Sequence, residues 1–305
     1  MADEKPGQRV SRRDMFGLLG LGRIRQRFDE EIPDALAAQA RRSAGRGSEP
    51  AWAAWDVPPP EGSERFTRVA AESLVEACGV REGERVLDWG CGQGEVALAA
   101  ARRGTQVTAI DFAAGPLERA WDLAEDEALD IEWLEQDGLD LLLGNSWFDR
   151  SLSGFGVIWS HDVPAAVREM FRVTRPGGTV GLTSWTELGF MGALLHLARE
   201  SDLLPSGPSP TAYGRDERMR QDIGPYAAQL VVTSHALELD VAAADTLWDF
   251  VAQAAAPVAR ALALRPAEAR TRVEGQMTAL ARDEYEDAGV VMARYLEVVA
   301  QVPAV

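Results

Sequence analysis

The residues best placed to do chemistry lie in one stretch, Val86-Leu87-Asp88-Trp89-Gly90-Cys91-Gly92-Gln93-Gly94-Glu95. It leaves an apolar run, passes through glycines at alternate positions and enters an Ala-rich segment, the order expected of strand, tight turn and helix. Glycines there permit the turn and let a ligand approach the backbone with no Cβ in the way. The spacing is G-x-G-x-G, not the G-x-G-x-x-G that suits a dinucleotide pyrophosphate. Asp88 stands two positions before the first glycine, where a carboxylate disfavours a pyrophosphate but suits a ligand carrying an ammonium group. A plain tight turn would show the same glycines.

A second carboxylate, Asp111, follows Asp88 by 23 residues at the end of the next apolar run, Gln106–Asp111. An acid about 20 residues beyond such a turn is where a ribose diol is held, two hydroxyls donating into one carboxylate. Asp also serves as a helix N-cap, and both roles can coexist. The third element is Glu135-Gln136-Asp137-Gly138-Leu139. A side-chain acceptor followed by backbone N–H groups can read the edge of a purine while apolar side chains clamp its ring. Alone, it reads as a loop with a turn Asp.

The elements that must position these loops alternate. Glu64 to Cys78 has helical periodicity, closed by Gly79. Strands are expected at Arg85–Asp88, Gln106–Asp111, Ile131–Leu134, Asp149–Val157 and Thr179–Thr183. Helices are expected at Glu95–Arg103, Pro116–Ala128 and Val163–Val173. Strand–helix–strand alternation with short links implies an α/β fold, a mostly parallel sheet with helices on both faces. Beyond residue 186 come a helix at Phe190–Ser201, a loop at Leu204–Pro210 and a strand at Leu230–Leu239. A helical stretch over 244–284, broken near Pro257 and Pro266, and a last strand at Val290–Val302 complete the chain. Residues 1–62 read as an N-terminal helical arm, partly flexible, with Arg42–Ser48 as a link.

Composition narrows the function classes. The chain has 305 residues and a net charge of −17. So acidic a protein repels phosphate backbones, which argues against a nucleic-acid substrate. Two cysteines outside any C-x-x-C pair and three separated histidines, His161, His196 and His235, give neither a disulfide framework nor metal-ligand spacing. No apolar run is long enough to span a bilayer. Ser11-Arg12-Arg13-Asp14-Met15-Phe16 resembles the start of a twin-arginine export signal. The apolar run after it is short, is followed at once by Arg23, and lacks a small-residue cleavage site, so the segment is read as an amphipathic helix. A cytoplasmic protein with a small-molecule substrate is the expectation; the oligomeric state is left open.

The series Val86–Glu95, Thr108–Asp111, Gln136–Gly138 and Arg172–Gly178 resembles the class I S-adenosylmethionine-dependent methyltransferases. The likeness is to the small-molecule branch that includes the ubiquinone/menaquinone-type enzymes, over residues 63 to 187. It implies a Rossmann-like, doubly wound, seven-stranded sheet. The core would span 63–187, a substrate-side insertion 188–228, and the last strands with a C-terminal helical insertion 229–305. S-adenosylmethionine would be the cofactor, with no metal. The resemblance assigns Gly90, Cys91, Gly92 and Gly94 to the methionine moiety, with Asp88 near its ammonium. Asp111 would take the ribose, Phe112 would flank the adenine, Asp137 its amino group, Gly138 and Leu139 its ring, and Ser153 would lie below the sulfonium. The sequence departs from the family in two places: Trp89 is large where a smaller apolar residue is common, and Leu139–Leu143 replaces the usual Pro-Phe approach to the fourth strand.

His161 is the candidate general base, since it follows the fourth strand on the edge where ligands bind in such sheets; it could equally just begin the next helix, with Asp162 as cap. His235 reads as structural, and His196 as lying on an apolar helical stripe. Trp52, Trp55, Phe155, Trp159, Trp185 and Phe190 are the candidate aromatic pocket, about half of them expected in the core. A nicotinamide-dependent oxidoreductase is disfavoured by the glycine spacing and Asp88; an inactive cofactor-binding scaffold is the other alternative.

Overall fold

The computed structural model describes Trp55 and residues 59–204, 209–241, 244–288 and 290–304. The N-terminal arm, its arginine pair and Trp52 lie outside these. The elements run α1 (Arg65–Ala77), β1 (Arg85–Trp89), α2 (Glu95–Ala101), β2 (Gln106–Asp111), α3 (Ala114–Asp126), β3 (Ile131–Glu135) and β4 (Phe148–Ser153). They continue with α4 (Val163–Val173), β5 (Thr174–Gly189), α5 (Phe190–Glu200), α6 (Asp216–Ile223), β6 (Gln229–Leu239), α7 (Ala244–Ala254), α8 (Ala256–Ala263), α9 (Ala267–Ala288) and β7 (Val291–Gln301).

One seven-stranded sheet has the order β3-β2-β1-β4-β5-β7-β6. The first five strands pair in parallel; β7 inserts antiparallel between β5 and β6. β1 sits among parallel neighbours and is buried from Val86 to Trp89, Asp88 included. Successive residues serve opposite faces: Val86 joins the apolar cluster under α1, α2 and α3, and Leu87 the larger one formed with α4, α5 and the C-terminal helices. The doubly wound architecture expected from the alternation is therefore the one observed.

Two strand boundaries differ markedly from expectation. β4 stops at Ser153, not Val157, because Phe155 takes φ 59° and Val157–Trp159 winds into a short 3₁₀ turn. β5 is much longer than Thr179–Thr183, because pairing with β7 extends from Thr179 opposite Gln301 to Gly189 opposite Ala293. No helix links β3 to β4; residues 136–147 cross instead as a Leu-rich segment. That segment is propped by α4. Arg172 donates to the Leu143 and Leu141 carbonyls at 2.9 and 3.0 Å, and Glu169 accepts from the Leu141 N–H at 3.1 Å. His196 is also not on the apolar stripe of α5, which is Phe190, Met191, Leu194, Leu195 and Ala198; it is exposed, 3.3 Å from Glu200.

Candidate active site

The parallel strands β1, β2 and β3 all point their carboxyl ends to the same edge, and the three loops singled out in the sequence follow them directly. The turn after β1 is built from left-handed backbone, with φ 64°, 53° and 83° at Gly90, Gly92 and Gly94. A Cβ at Gly94 would lie 2.7 Å from the Trp133 ring, so packing alone demands glycine there. Gly92 is different: a Cβ there would meet nothing within 4 Å. Its bare face looks onto open space, and this is where a ligand can reach the backbone.

Asp111 ties the turn to the end of β2. Its carboxylate accepts from the Gly92 N–H and from the Ala113 N–H, both at 2.9 Å. It caps the turn leading into α3 rather than α3 itself, whose N-cap is Ala113. Burial pushes its acid up, opposed by these backbone donors. Phe112 beside it is partly exposed, at 38%.

Asp88 lies under the turn, wholly buried. Oδ2 accepts from the Ala97 N–H at 2.9 Å, closing the first turn of α2, while Oδ1 has no partner among the described residues. Burial drives its acid well above the usual carboxylate range, and Glu95 and Asp111 push the same way. Cys91 is buried too, and its thiol is raised by burial and by the Asp88 charge.

At the third loop, Asp137 Oδ1 accepts from the Leu139 N–H at 3.0 Å, a turn that holds the segment in place. Gly138 has an unexpected reason to be glycine. The Trp89 indole donates to the Gly138 carbonyl at 3.0 Å, and a Cβ on Gly138 would lie 2.2 Å from that indole. The oversized residue on β1 and the missing side chain on the β3 loop are thus one packing solution. The sequence shows both residues but not that they meet.

Ser153 ends β4 with its hydroxyl fully used: it donates to the Trp89 carbonyl at 2.8 Å and accepts from the Val157 N–H at 2.9 Å. His161 is exposed just ahead of α4, and Asp162 caps that helix, accepting from Ala165 N–H at 2.9 Å. Of the aromatic candidates, Phe155, Trp185 and Phe190 are core. Phe155 stacks on Trp185 at 3.8 Å, and Phe190 is fully buried. Trp55 and Trp159 instead meet edge to face at 5.1 Å, both half-buried, so the tryptophan ahead of the domain does dock. His235 stacks on Tyr295 at 5.2 Å and lies 3.4 Å from buried Glu297, consistent with the structural reading.

Sequence reasoning missed a polar cluster on the other side of the turn. Ser63 hydrogen-bonds Gln93, and Glu95 is bonded by Thr67 of α1 and Gln253 of α7. Glu95 was visible only as the first residue of α2, and nothing local marks Gln253. Among the described residues no cluster of side chains could hold a metal ion, and no helix is long and apolar enough to cross a membrane.

Comparison with known proteins agrees with this geometry. Residues 86–178 match the family model described as a methyltransferase domain. An uncharacterized protein of Mycobacterium tuberculosis is 37% identical over 139 residues, 44% of this chain and 51% of its own length. A 2-phytyl-1,4-naphtoquinone methyltransferase of Nostoc is 33% identical over 120 residues, 38% of this chain and 52% of that one. The chain thus spans about half the length of the curated relatives it matches. The fold is shared with the YcgJ protein of Bacillus subtilis, at a TM-score of 0.52 and 17% identity over 78% of this chain and 100% of that one. The matched segment contains all three loops at the sheet's carboxyl edge, so the likeness to a methyltransferase domain falls on the residues that build the candidate site.

Proposed function

We propose that this protein transfers a methyl group from S-adenosylmethionine to a small, apolar or aromatic metabolite by in-line displacement. The observation that carries the reading is the turn at Gly92: left-handed backbone, open space where a Cβ would stand, and an N–H held by Asp111 at 2.9 Å. The residues fit the donor. Asp111 is fixed at the end of β2 to receive ribose hydroxyls, with Phe112 beside it for the adenine. Asp137, Gly138 and Leu139 form the adenine's other wall. Gly90, Cys91, Gly92 and Gly94 border the methionine end, and the unpartnered Oδ1 of Asp88 is the acceptor left for its ammonium. Ser153 supports this arrangement from β4, fixing Trp89 and the turn after it.

Bound there, S-adenosylmethionine supplies an activated methyl carbon on a sulfonium. The protein's work is then positioning, which can be worth ~7–11 kcal/mol when nucleophile and methyl are held at near-attack distance. Trp55 and Trp159, paired beyond the end of β4, offer an aromatic surface to the acceptor. His161 at the same edge takes the acceptor's proton where the nucleophile arrives protonated.

Isothermal titration with S-adenosylhomocysteine and with NADH tests the donor assignment. Binding of the first and not the second supports it; the reverse overturns it. Release of S-adenosylhomocysteine on incubation with a pool of small metabolites tests turnover, and no release from any pool would favour the non-catalytic scaffold.

A further inference from the structure

The helical insert between β6 and β7 reaches the residue that follows the glycine turn through the Gln253 side chain. Gln253 of α7 donates from Nε2 to Thr67 Oγ1 at 2.7 Å and to Glu95 Oε1 at 3.0 Å, and Thr67 donates to the same carboxyl oxygen at 3.2 Å. Glu95 is the residue directly after Gly94, whose position is already locked against Trp133. Two further contacts seat α7 on the start of α1. Phe250 meets Phe66 edge-on at 5.5 Å, and Asp249 lies 4.0 Å from Arg65. Three segments distant in sequence therefore converge on one carboxyl group at the edge of the donor site.

The surroundings of Glu95 favour its neutral form. Its carboxyl is pushed up to about 7, chiefly by burial and also by the charge of Glu64, against the hydrogen bonds from its own N–H, Thr67 and Gln253. Asp88 and Cys91 lie beneath it, each raised in turn by the Glu95 charge. Arg119 pairs with Glu64 at 3.8 Å and Arg65 with Asp249 at 4.0 Å. Meanwhile Gln253 Oε1 is buried with nothing to accept. A carboxylate cannot donate to it; a carboxylic acid can. Neutral Glu95 would give Gln253 both halves of a reciprocal pair, amide N–H to acid carbonyl and acid O–H to amide carbonyl.

We propose that Gln253 is a positioning residue for the donor site, clamping the helical insert to the first turn of α2 through a reciprocal amide–carboxylic acid pair with Glu95. The proposal rests on the donor site assigned above. Its pH sense follows from the raised acid. The clamp's contribution is complete below the ordinary carboxylate range and is lost as pH rises to about 7 and beyond. Above that, Gln253 Oε1 loses its donor and a half-buried charge stands near Glu64 and Asp88.

The test measures S-adenosylhomocysteine affinity and hydrogen exchange of α7, as protection factors, at pH 5.5 and pH 8. It compares the wild-type chain with Glu95→Gln and Gln253→Met, the second close in size but unable to donate. For the wild type, affinity and α7 protection should both fall at the higher pH, by about 2- to 12-fold for one lost hydrogen bond. Glu95→Gln, with no proton to lose, should hold both nearly constant, which also controls for titration of the ligand. Gln253→Met should show the weaker values at both pH values. Identical pH slopes for wild type and Glu95→Gln, or wild-type affinity and protection in Gln253→Met, would overturn the proposal. Failure of the wild type to bind S-adenosylhomocysteine at either pH would sink the donor assignment instead, and the exchange data on α7 would still decide whether the clamp exists.

Discussion

Replacing Gly138 by Ala should damage the protein through Trp89, and removing the indole should undo the damage. The added Cβ would lie 2.2 to 2.4 Å from three atoms of the Trp89 ring, far inside contact distance, and the ring is buried at 7% exposure with nowhere to retreat. Overpacking of this kind costs about 1–3 kcal/mol. Displacing the ring also breaks the indole bond to the Gly138 carbonyl, adding about 0.5–1.5 kcal/mol. Trp89→Leu alone should also destabilise, by less than the about 3–5 kcal/mol of a tryptophan-to-alanine core change. The double variant should then be more stable than the sum of the two by about 1–3 kcal/mol, because the new methyl group enters space the indole has left. Urea denaturation of the four proteins in the cycle reads this directly, and S-adenosylhomocysteine titration should show Gly138→Ala weakening donor binding in parallel. Additivity within about 0.5 kcal/mol would refute the claim that these two residues form one packing unit.

Other substitutions separate binding, catalysis and stability. Asp111→Ala removes the acceptor for the Gly92 and Ala113 N–H groups and for the ribose, so S-adenosylhomocysteine affinity should drop at least ~10-fold by calorimetry, given about 1.5–3 kcal/mol per charged hydrogen bond. His161→Ala should lower kcat by roughly 10²–10⁴-fold with donor affinity unchanged for an acceptor that must lose a proton; an unchanged kcat would remove His161 from the mechanism. Ser153→Ala should cost about 1–3 kcal/mol in a denaturation experiment, since the buried Val157 N–H loses its acceptor.

What the sequence revealed depended on how locally each feature is encoded. β2 and α4 begin and end at the predicted residues, Gln106–Asp111 and Val163–Val173, because Asp111 closes one and the Asp162 cap with Pro164 opens the other. The length of β5 was not legible, because it is set by β7 more than a hundred residues later. The end of β4 was misread because Phe155 adopts a left-handed conformation that its residue type does not advertise. The same division holds at the site. The glycine turn, Asp111 and the Asp137 turn announce themselves through spacing. That Trp89 needs Gly138, and that Gln253 reaches Glu95, are consequences of packing between segments 49 and 158 residues apart. The aromatic candidates were expected to lie about half in the core, and Phe155, Trp185 and Phe190 do; which of them turn inward was not legible, because residue type cannot say which side of a sheet edge a ring occupies.

The central claim is that bare backbone at Gly92 receives a sulfonium nucleoside. Calorimetric titration of S-adenosylhomocysteine into the wild-type chain and into Gly92→Val tests it most directly, because apart from Gly92 and its two chain neighbours no atom lies within 4 Å of the position a Cβ would take. The account predicts saturable binding to the wild type and none to a Gly92→Val variant whose circular dichroism and unfolding transition show it folded. Undiminished affinity in that folded variant would contradict it.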